Sequence, residues 1–294
     1  MREVLASPGA TRYILDKYGI KARKKYGQNF LIDANVIRNI VDAAGITKED
    51  CVLEIGPGIG SMTQLLSRAA GSVVCVEIDE TLRPVLEETL EDCENVKILW
   101  QDILKTDLKA VCAEQNGGKP LKVVANLPYY VTTPILMQLL EQKNVFTSIT
   151  VMVQKEVADR IRSGPGSKEY GALSLAVQYF AEPEAVMTVP PSCFMPRPGV
   201  DSCVLCLKAY GQPPVECNEK VMFALIRAAF NQRRKTLANA VSHGYSLNGR
   251  TVSREEIAEI LTGMGLPATV RGEALSLEQF AQISLLLGAD RTEG

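Results

Sequence analysis

Cys51-Val52-Leu53-Glu54-Ile55-Gly56-Pro57-Gly58-Ile59-Gly60-Ser61 is the stretch on which the fold turns. An apolar run ends in three glycines at alternate positions, and SMTQLLSRAA follows directly with the composition of a helix. Strand, glycine turn, helix is the opening of an α/β unit, because glycine permits the tight turn and lets a ligand approach the backbone. The spacing is G-x-G-x-G. A dinucleotide fingerprint, G-x-G-x-x-G, needs a third glycine at position 61, where this chain has Ser61. Pro57 removes a backbone N–H that would otherwise serve a phosphate. No G-x-x-x-x-G-K-[ST] loop occurs anywhere. Both absences favour a nucleoside ligand without phosphates.

Outward from this turn, CVLEI, SVVCVEI, VKILW, LKVVA and SITVMV read as strands. SMTQLLSRAA, TLRPVLEETLEDC and TTPILMQLLEQ between them read as helices. The alternation predicts a parallel sheet with helices on both faces. EAVMTV and SCVLCLKAY add two late strands, joined by the proline-rich PPSCFMPRPGVD. After GQPP at 211–214 the chain reads as all helix, so the expected division is an α/β domain over 1–210 and a small helical domain over 211–294. Residues 1–27 form an N-terminal arm whose Tyr13 and Tyr18 match no motif.

Composition bounds the function. Hydrophobic residues make up 46% and charged residues 22%, which suits a globular chain that buries its own core without staples. No apolar run reaches the roughly 18 residues of a membrane span, and the N-terminus lacks the order of a signal peptide. The expectation is a cytoplasmic protein. Eight cysteines in a chain of this length, without a secretory signal, do not suggest a disulfide framework. Cys203 and Cys206 form a C-x-x-C, but zinc needs about four ligands and His243 is the only histidine. The alternation of SCVLCL fits a buried strand, and no metal is expected. Net charge is −2, so nucleic-acid binding would rest on local clusters. Two exist: Lys21, Arg23, Lys24 and Lys25, and Arg227, Arg233, Arg234 and Lys235. Charge alone makes both of them solvated helix faces.

Glu77 closes the second strand, where an acid accepts hydrogen bonds from ribose hydroxyls. Asp102 follows the third, placed for an adenine amino group. Strand ends in such a sheet converge on one crevice, so the turn, Glu77 and Asp102 should share it. Together they resemble the Rossmann-like class I methyltransferases, whose cofactor is S-adenosylmethionine. The resemblance implies a mostly parallel seven-stranded sheet and a cofactor contact at Gly56.

Asn126-Leu127-Pro128-Tyr129, at the end of the fourth strand, matches the N-[L/I/P]-P-Y motif of amino methyltransferases that act on nucleobases. An adenine amine is a poor nucleophile because its lone pair is delocalised into the ring. Acceptors aimed at its two hydrogens disfavour the planar form and turn the lone pair towards the methyl donor. The resemblance implies that the Asn126 side-chain oxygen and the Pro128 carbonyl are those acceptors, that Asn126 also borders the cofactor, and that Tyr129 stacks on the base.

Further segments extend the likeness over nearly the whole chain. Gly27-Gln28-Asn29-Phe30-Leu31 is similar to the G-Q-[N/H]-F-L opening of the ribosomal RNA adenine dimethyltransferases, which implies that Asn29 and Leu31 touch the cofactor. Phe194-Met195-Pro196-Arg197-Pro198-Gly199-Val200-Asp201-Ser202 resembles that family's F-x-P-x-P-x-V-[D/N]-S block and implies that Phe194 covers the base opposite Tyr129. Phe230-Asn231-Gln232-Arg233-Arg234-Lys235-Thr236-Leu237 matches F-x-x-R-R-K-x-L. It gives Arg227, Arg233, Arg234 and Lys235 the expected role of phosphate contacts to RNA.

Within the family, Leu127, the Asp201-Ser202 pair and LSLEQF at 275–280 are similar to the small-subunit branch, the KsgA/RsmA type. A pI near 5.7 disfavours the large-subunit, Erm-type branch, which is shorter and more basic. The implied activity is dimethylation of two adjacent adenines in the 3'-terminal hairpin of 16S ribosomal RNA. The implied partner is the pre-30S particle, met by a monomer. The alternatives are an Erm-type 23S methyltransferase and a non-catalytic RNA-binding assembly or transcription factor of the same fold. A DNA adenine methyltransferase would need a target-recognition domain that a short helical tail does not supply.

Overall fold

The computed structural model describes residues 5–20, 23, 27–242, 246–247 and 250–288. The chain divides into two compact units, residues 1–158 with 181–209, and residues 159–180 with 210–294.

The first unit is built on α1 (Pro8–Lys17), β1 (Phe30–Leu31), α2 (Ala34–Ala43), β2 (Cys51–Ile55), α3 (Thr63–Ala69), β3 (Ser72–Glu77) and α4 (Arg83–Thr89). It continues with β4 (Val96–Trp100), α5 (Leu108–Asn116), β5 (Leu121–Asn126), α6 (Thr132–Leu140), β6 (Phe146–Gln154) and the start of α7 (Lys155–Arg162). After α8 (Ala172–Phe180), the unit is completed by β7 (Ala181–Val189), β8 (Phe194–Met195) and β9 (Ser202–Ala209).

Seven strands form one sheet in the order β4-β3-β2-β5-β6-β9-β7. All neighbours pair in parallel up to β6, and β9 then runs antiparallel to both β6 and β7. This is the mostly parallel seven-stranded, class I methyltransferase sheet that the strand–helix alternation and the resemblance imply. β2 lies between β3 and β5 and is buried along its whole length, which is why CVLEI reads as a continuous apolar run. Glu54 interrupts that run and is itself fully buried. At the edge, β7 alternates buried and exposed residues, and its Pro183 is tolerated where one side of the strand has no partner. Cys203 and Cys206 are three apart in β9, so their side chains project from opposite faces of the sheet. Both are buried.

The second unit holds α8, α9 (Glu219–Asn231), α10 (Leu237–Ser242), α11 (Arg254–Gly263) and α12 (Leu277–Gly288). Asn218 caps α9, which buries Val221, Met222, Leu225, Ile226, Ala228 and Ala229 along one stripe. That stripe meets Leu237 and Val241 of α10, Ile257 and Leu261 of α11, and Phe280 and Ile283 of α12.

The division expected at 210/211 is therefore incomplete. Residues 159–180 belong to the helical unit because Tyr170, Leu175 and Tyr179 are buried in its apolar core. The Tyr170 hydroxyl donates to the Leu275 carbonyl at 2.8 Å, and Gly166 N–H donates to the Glu273 carbonyl at 2.8 Å. Sequence order hides this, since an apolar helix such as α8 can cover either core equally well.

Candidate active site

The winding of the sheet reverses between β2 and β5, and the crevice beyond the carboxyl ends of those strands is where open α/β sheets take ligands. Four adjacent strands deliver their ends to it: Glu54 and Gly56 from β2, Glu77 from β3, Asp102 after β4 and Asn126 from β5. All five residues line one cavity of about 270 Å³, together with Gly27–Leu31 and Pro128–Tyr130. The convergence expected of the turn, Glu77 and Asp102 is present.

The glycine turn is shaped by what crowds it. Gly58 has φ +59°, and a Cβ there would lie 3.2 Å from the Phe30 ring. Its N–H points at Glu77 Oε2 at 3.4 Å. The other Glu77 oxygen accepts from the Asp79 N–H at 2.8 Å. Glu77 is 5% exposed, and burial raises its pKa to about 7 against the pull of those backbone donors. Asp102 caps the short turn after β4, one oxygen accepting from the Leu104 N–H at 2.9 Å.

Residues 27–31 cross the cavity as a strap with anchors at both ends. At one end, Gln28 Nε2 donates to Asp79 at 2.9 Å and Gln28 Oε1 accepts from the Arg23 N–H at 2.9 Å. At the other, Phe30 and Leu31 pair with Met195 and Phe194 as a two-stranded ladder. Between them the Asn29 carbonyl accepts from Asn126 Nδ2 at 3.0 Å. That bond fixes the orientation of the Asn126 amide: with its nitrogen committed, Oδ1 is the acceptor left for a ligand. Asn29 and Leu31 both line the cavity.

After Asn126 the chain enters a short 3-10 turn over Tyr129–Val131. The Pro128 carbonyl, expected to face the amine, already accepts from Val131 N–H at 3.2 Å and from the Thr132 hydroxyl at 3.1 Å. The Tyr129 hydroxyl shares a 2.7 Å hydrogen bond with Ser202, which fixes the ring at the cavity wall. Burial raises the Tyr129 pKa, with the Ser202 bond opposing.

Phe194 departs from its expected place. It is 1% exposed, belongs to the apolar cluster with Leu31, Ile37, Val189 and Cys193, and is absent from the cavity lining. Its pairing with Leu31 across the β1–β8 ladder turns the ring into the core, so no sandwich opposite Tyr129 is formed in this structure.

In the second unit, Arg227, Arg234 and Lys235 are exposed, on α9 and the turn before α10. Arg233 is not spare. Its Nε lies 2.6 Å from Glu273 Oε2 and another guanidinium nitrogen donates to the Ser167 carbonyl at 3.2 Å, so it holds the unit together. Phe230 and Leu237, which bracket the basic run, pack in the apolar core. Of the first basic cluster, Lys21, Lys24 and Lys25 lie outside the described residues, as does His243. Arg23 pairs with Asp79 at 3.4 Å. Tyr18 hydrogen-bonds Glu88, and Tyr13 is exposed.

Sequence reasoning missed several site residues. Ser202 was visible only as the end of a motif, and its contact with Tyr129 spans 73 positions. Asp79 carries no motif, and Gln28, 51 positions before it, is visible only as part of the Gly27–Leu31 motif. Glu54 was seen as part of the turn, but its isolation was not. It is 0% exposed, Oε1 has no hydrogen-bond partner, and Oε2 accepts only from the Cys75 thiol at 3.5 Å. Ser61 Oγ, also at the cavity, is likewise buried without a partner. Buried polar atoms are normally satisfied, so two orphans in residues that line one cavity single it out as a polar site. No lysine, arginine or histidine lines it among the described residues. An uncharged nucleoside flanked by a cationic group fits these donors and acceptors, as S-adenosylmethionine would.

Comparison with known proteins agrees. A model of the family "Ribosomal RNA adenine dimethylase" matches residues 19–282. A protein of Lachnoclostridium phytofermentans named ribosomal RNA small subunit methyltransferase A is 55% identical over 282 residues, 95% of this chain and 96% of its own. One of the same name from a Geobacillus species is 48% identical over 286 residues, 97% of this chain and 98% of its own. Among solved structures, a dimethyladenosine transferase from Plasmodium falciparum superposes with a TM-score of 0.72 at 24% identity, covering 88% of this chain and 97% of that one. The 23S rRNA methyltransferase ErmE gives 0.66 at 24%, covering 87% and 98%. These two likenesses concern the fold. The family match spans the strap, the glycine turn, the Asn126–Tyr129 tetrad and the basic turn alike, and the chain belongs to the ribosomal RNA adenine dimethylase family.

Proposed function

We propose that this chain dimethylates the exocyclic amines of two adjacent adenines in the 3'-terminal hairpin of small-subunit ribosomal RNA. The branch is supported by relatives at 48–55% identity over nearly the whole chain, all named for the small subunit. S-adenosylmethionine, when bound, supplies an electrophilic methyl group on a sulfonium.

The observation that carries the chemistry is the Asn126 amide, pinned through Nδ2 by the Asn29 carbonyl in a residue that lines the cavity, which leaves Oδ1 as its acceptor. Oδ1 accepts one amine hydrogen and localises the lone pair for in-line attack, which is positioning and electrostatic catalysis with no base of high basicity. The Pro128 carbonyl accepts the other hydrogen by exchanging the Thr132 hydroxyl for the amine. Tyr129, held by Ser202, gives the target base a flat face. Phe194 backs Leu31 from within the core and so supports the strap. Glu77 accepts from the ribose hydroxyls, Asp102 from the cofactor's adenine amine through its uncommitted oxygen, and Gly56, Asn29 and Leu31 complete the cofactor wall. Arg227, Arg234 and Lys235 contact RNA phosphates, with Arg233 holding the turn that presents them.

The reading places the enzyme in the cytoplasm as a monomer acting on the pre-30S particle. Among the described residues no helix is long and apolar enough to cross a membrane. Primer extension across both ribosomal RNAs from cells lacking this protein tests it. The expected result is loss of two adjacent dimethyladenines in the small-subunit hairpin. An unmodified adenine in the large-subunit RNA alone would overturn it.

A further inference from the structure

The turn after β4 brings Asp102, Ile103 and Leu104 to the cavity wall. It is a single 3-10 turn over Ile103–Lys105, closed by the Lys105 N–H to the Asp102 carbonyl at 3.0 Å and the Thr106 N–H to the Ile103 carbonyl at 3.1 Å. So short a turn has poor hydrogen-bond geometry and leaves its last carbonyls short of partners. Leu104 and Lys105 are exposed, so of its three residues only Ile103 is held by packing. The missing support comes from α6. Gln138 Nε2 donates to the Ile103 carbonyl at 3.0 Å and reaches the Thr106 carbonyl at 3.4 Å. Gln101 Nε2 donates to the Thr106 hydroxyl at 3.0 Å, and that hydroxyl donates to the Asp102 carbonyl at 2.9 Å.

Gln138 stands 35 positions from Ile103 and belongs to no motif. Its other amide atom, Oε1, is buried without a hydrogen-bond partner. An unpaired buried acceptor is a cost, and a side chain that only filled space here would carry none, as its buried neighbours Leu136 and Leu139 do not. Ile135, three residues earlier on the same face of α6, lines the cavity directly. We propose that Gln138 is a positioning residue for cofactor selection. By holding the Ile103 and Thr106 carbonyls, it fixes the turn so that the free oxygen of Asp102 meets the adenine amine of the cofactor. A purine with oxygen in place of that amine sets an acceptor against the carboxylate and is rejected, as sites built around one hydrogen bond reject the analogue that lacks it. A turn released from α6 loses that discrimination, because a hydrogen bond weakens steeply with angle.

The inference rests on S-adenosylmethionine as cofactor and on Asp102 as the acceptor for its adenine amine. Calorimetry with two probes keeps these apart: S-adenosylhomocysteine, and S-inosylhomocysteine, which differs only by oxygen in place of the amine. The wild-type protein should prefer the first. Gln138→Met, which keeps length and loses the donor, should bind S-adenosylhomocysteine about tenfold more weakly. Its affinity for S-inosylhomocysteine should hold, so that the preference shrinks by the same factor. Equal weakening for both probes would make Gln138 a residue of general stability and overturn the proposal, as would an undiminished preference. Should Gln138→Met not fold, Gln138→Lys restores a donor at similar reach and must keep the wild-type preference; its loss would also overturn the proposal. A wild type that bound neither probe would remove the cofactor reading, and one that bound both alike would remove Asp102 from the adenine site. Either result takes this inference with it.

Discussion

The Asn126 side chain donates from Nδ2 to a backbone carbonyl 97 positions earlier, and in the proposed reaction that bond leaves Oδ1 for the substrate amine. Asn126→Ala removes the acceptor and the strap's tether together. The expected loss is about 10²–10³ in kcat, the size seen when one preorganised polar group is removed. Single-turnover methylation of small-subunit particles measures it, and an unchanged rate would take Asn126 out of the chemistry. Glu54 makes a different prediction, about stability. An ordinary glutamate has a pKa of 4.5, whereas Glu54 in the folded protein is at about 7. A raised folded pKa means that the native state holds the proton more tightly than the unfolded chain. Its contribution is full below about pH 4.5 and is lost as pH rises through 7. Between pH 5.5 and 8 the cofactor-free wild type should lose about 2 kcal/mol more than Glu54→Gln does. Urea unfolding at the two pH values gives the comparison, and equal losses would mean that Glu54 is ionised in the fold.

Elements explain why a motif and its function do not coincide residue by residue. The run from Phe230 to Leu237 joins α9 to α10 by burying its two ends and exposing its middle, except for Arg233, which turns inward to Glu273 and Ser167. The four basic residues should therefore separate experimentally. Reversing Arg227, Arg234 and Lys235 to glutamate should weaken RNA binding and lower its salt dependence by about one unit in log–log slope for each phosphate no longer neutralised. Cofactor affinity should not change. Arg233→Ala should act on the unit itself, with a cost below about 1 kcal/mol because the pair is part-exposed. Filter binding over a salt series, paired with thermal melts, distinguishes the two classes. A steeper loss of RNA binding from Arg233→Ala than from Arg234→Glu would reverse the assignment.

For the whole molecule, the consequence lies in the interleaved units. A chain ended after Tyr210 retains every strand of the seven-stranded sheet but keeps Tyr170, Leu175 and Tyr179 without the helical core that buries them. Each large apolar side chain returned to water costs roughly 1.5–3 kcal/mol. The truncated chain should therefore elute as aggregate in size-exclusion chromatography, despite ending at an apparent linker. A soluble, cofactor-binding fragment would show that residues 159–180 are dispensable to the first unit.

The sequence alone determined the sheet, the order of its strands along the chain, the glycine turn and the positions of Glu77, Asp102 and Asn126. These follow from local rules: burial on both faces makes β2 and its neighbours continuous apolar runs, and strand ends in a parallel sheet share one edge. Full-length motif likeness added the family and the branch. What only the tertiary structure decided depends on distant partners. Phe194 is drawn into the core by pairing with Leu31, Arg233 is taken by Glu273, and α8 is buried in the helical unit. Glu54 belongs with them. An acid inside an apolar strand is plain in the sequence, but its lack of a counter-charge is a property of three strands and a helix packed around it, which no local pattern records.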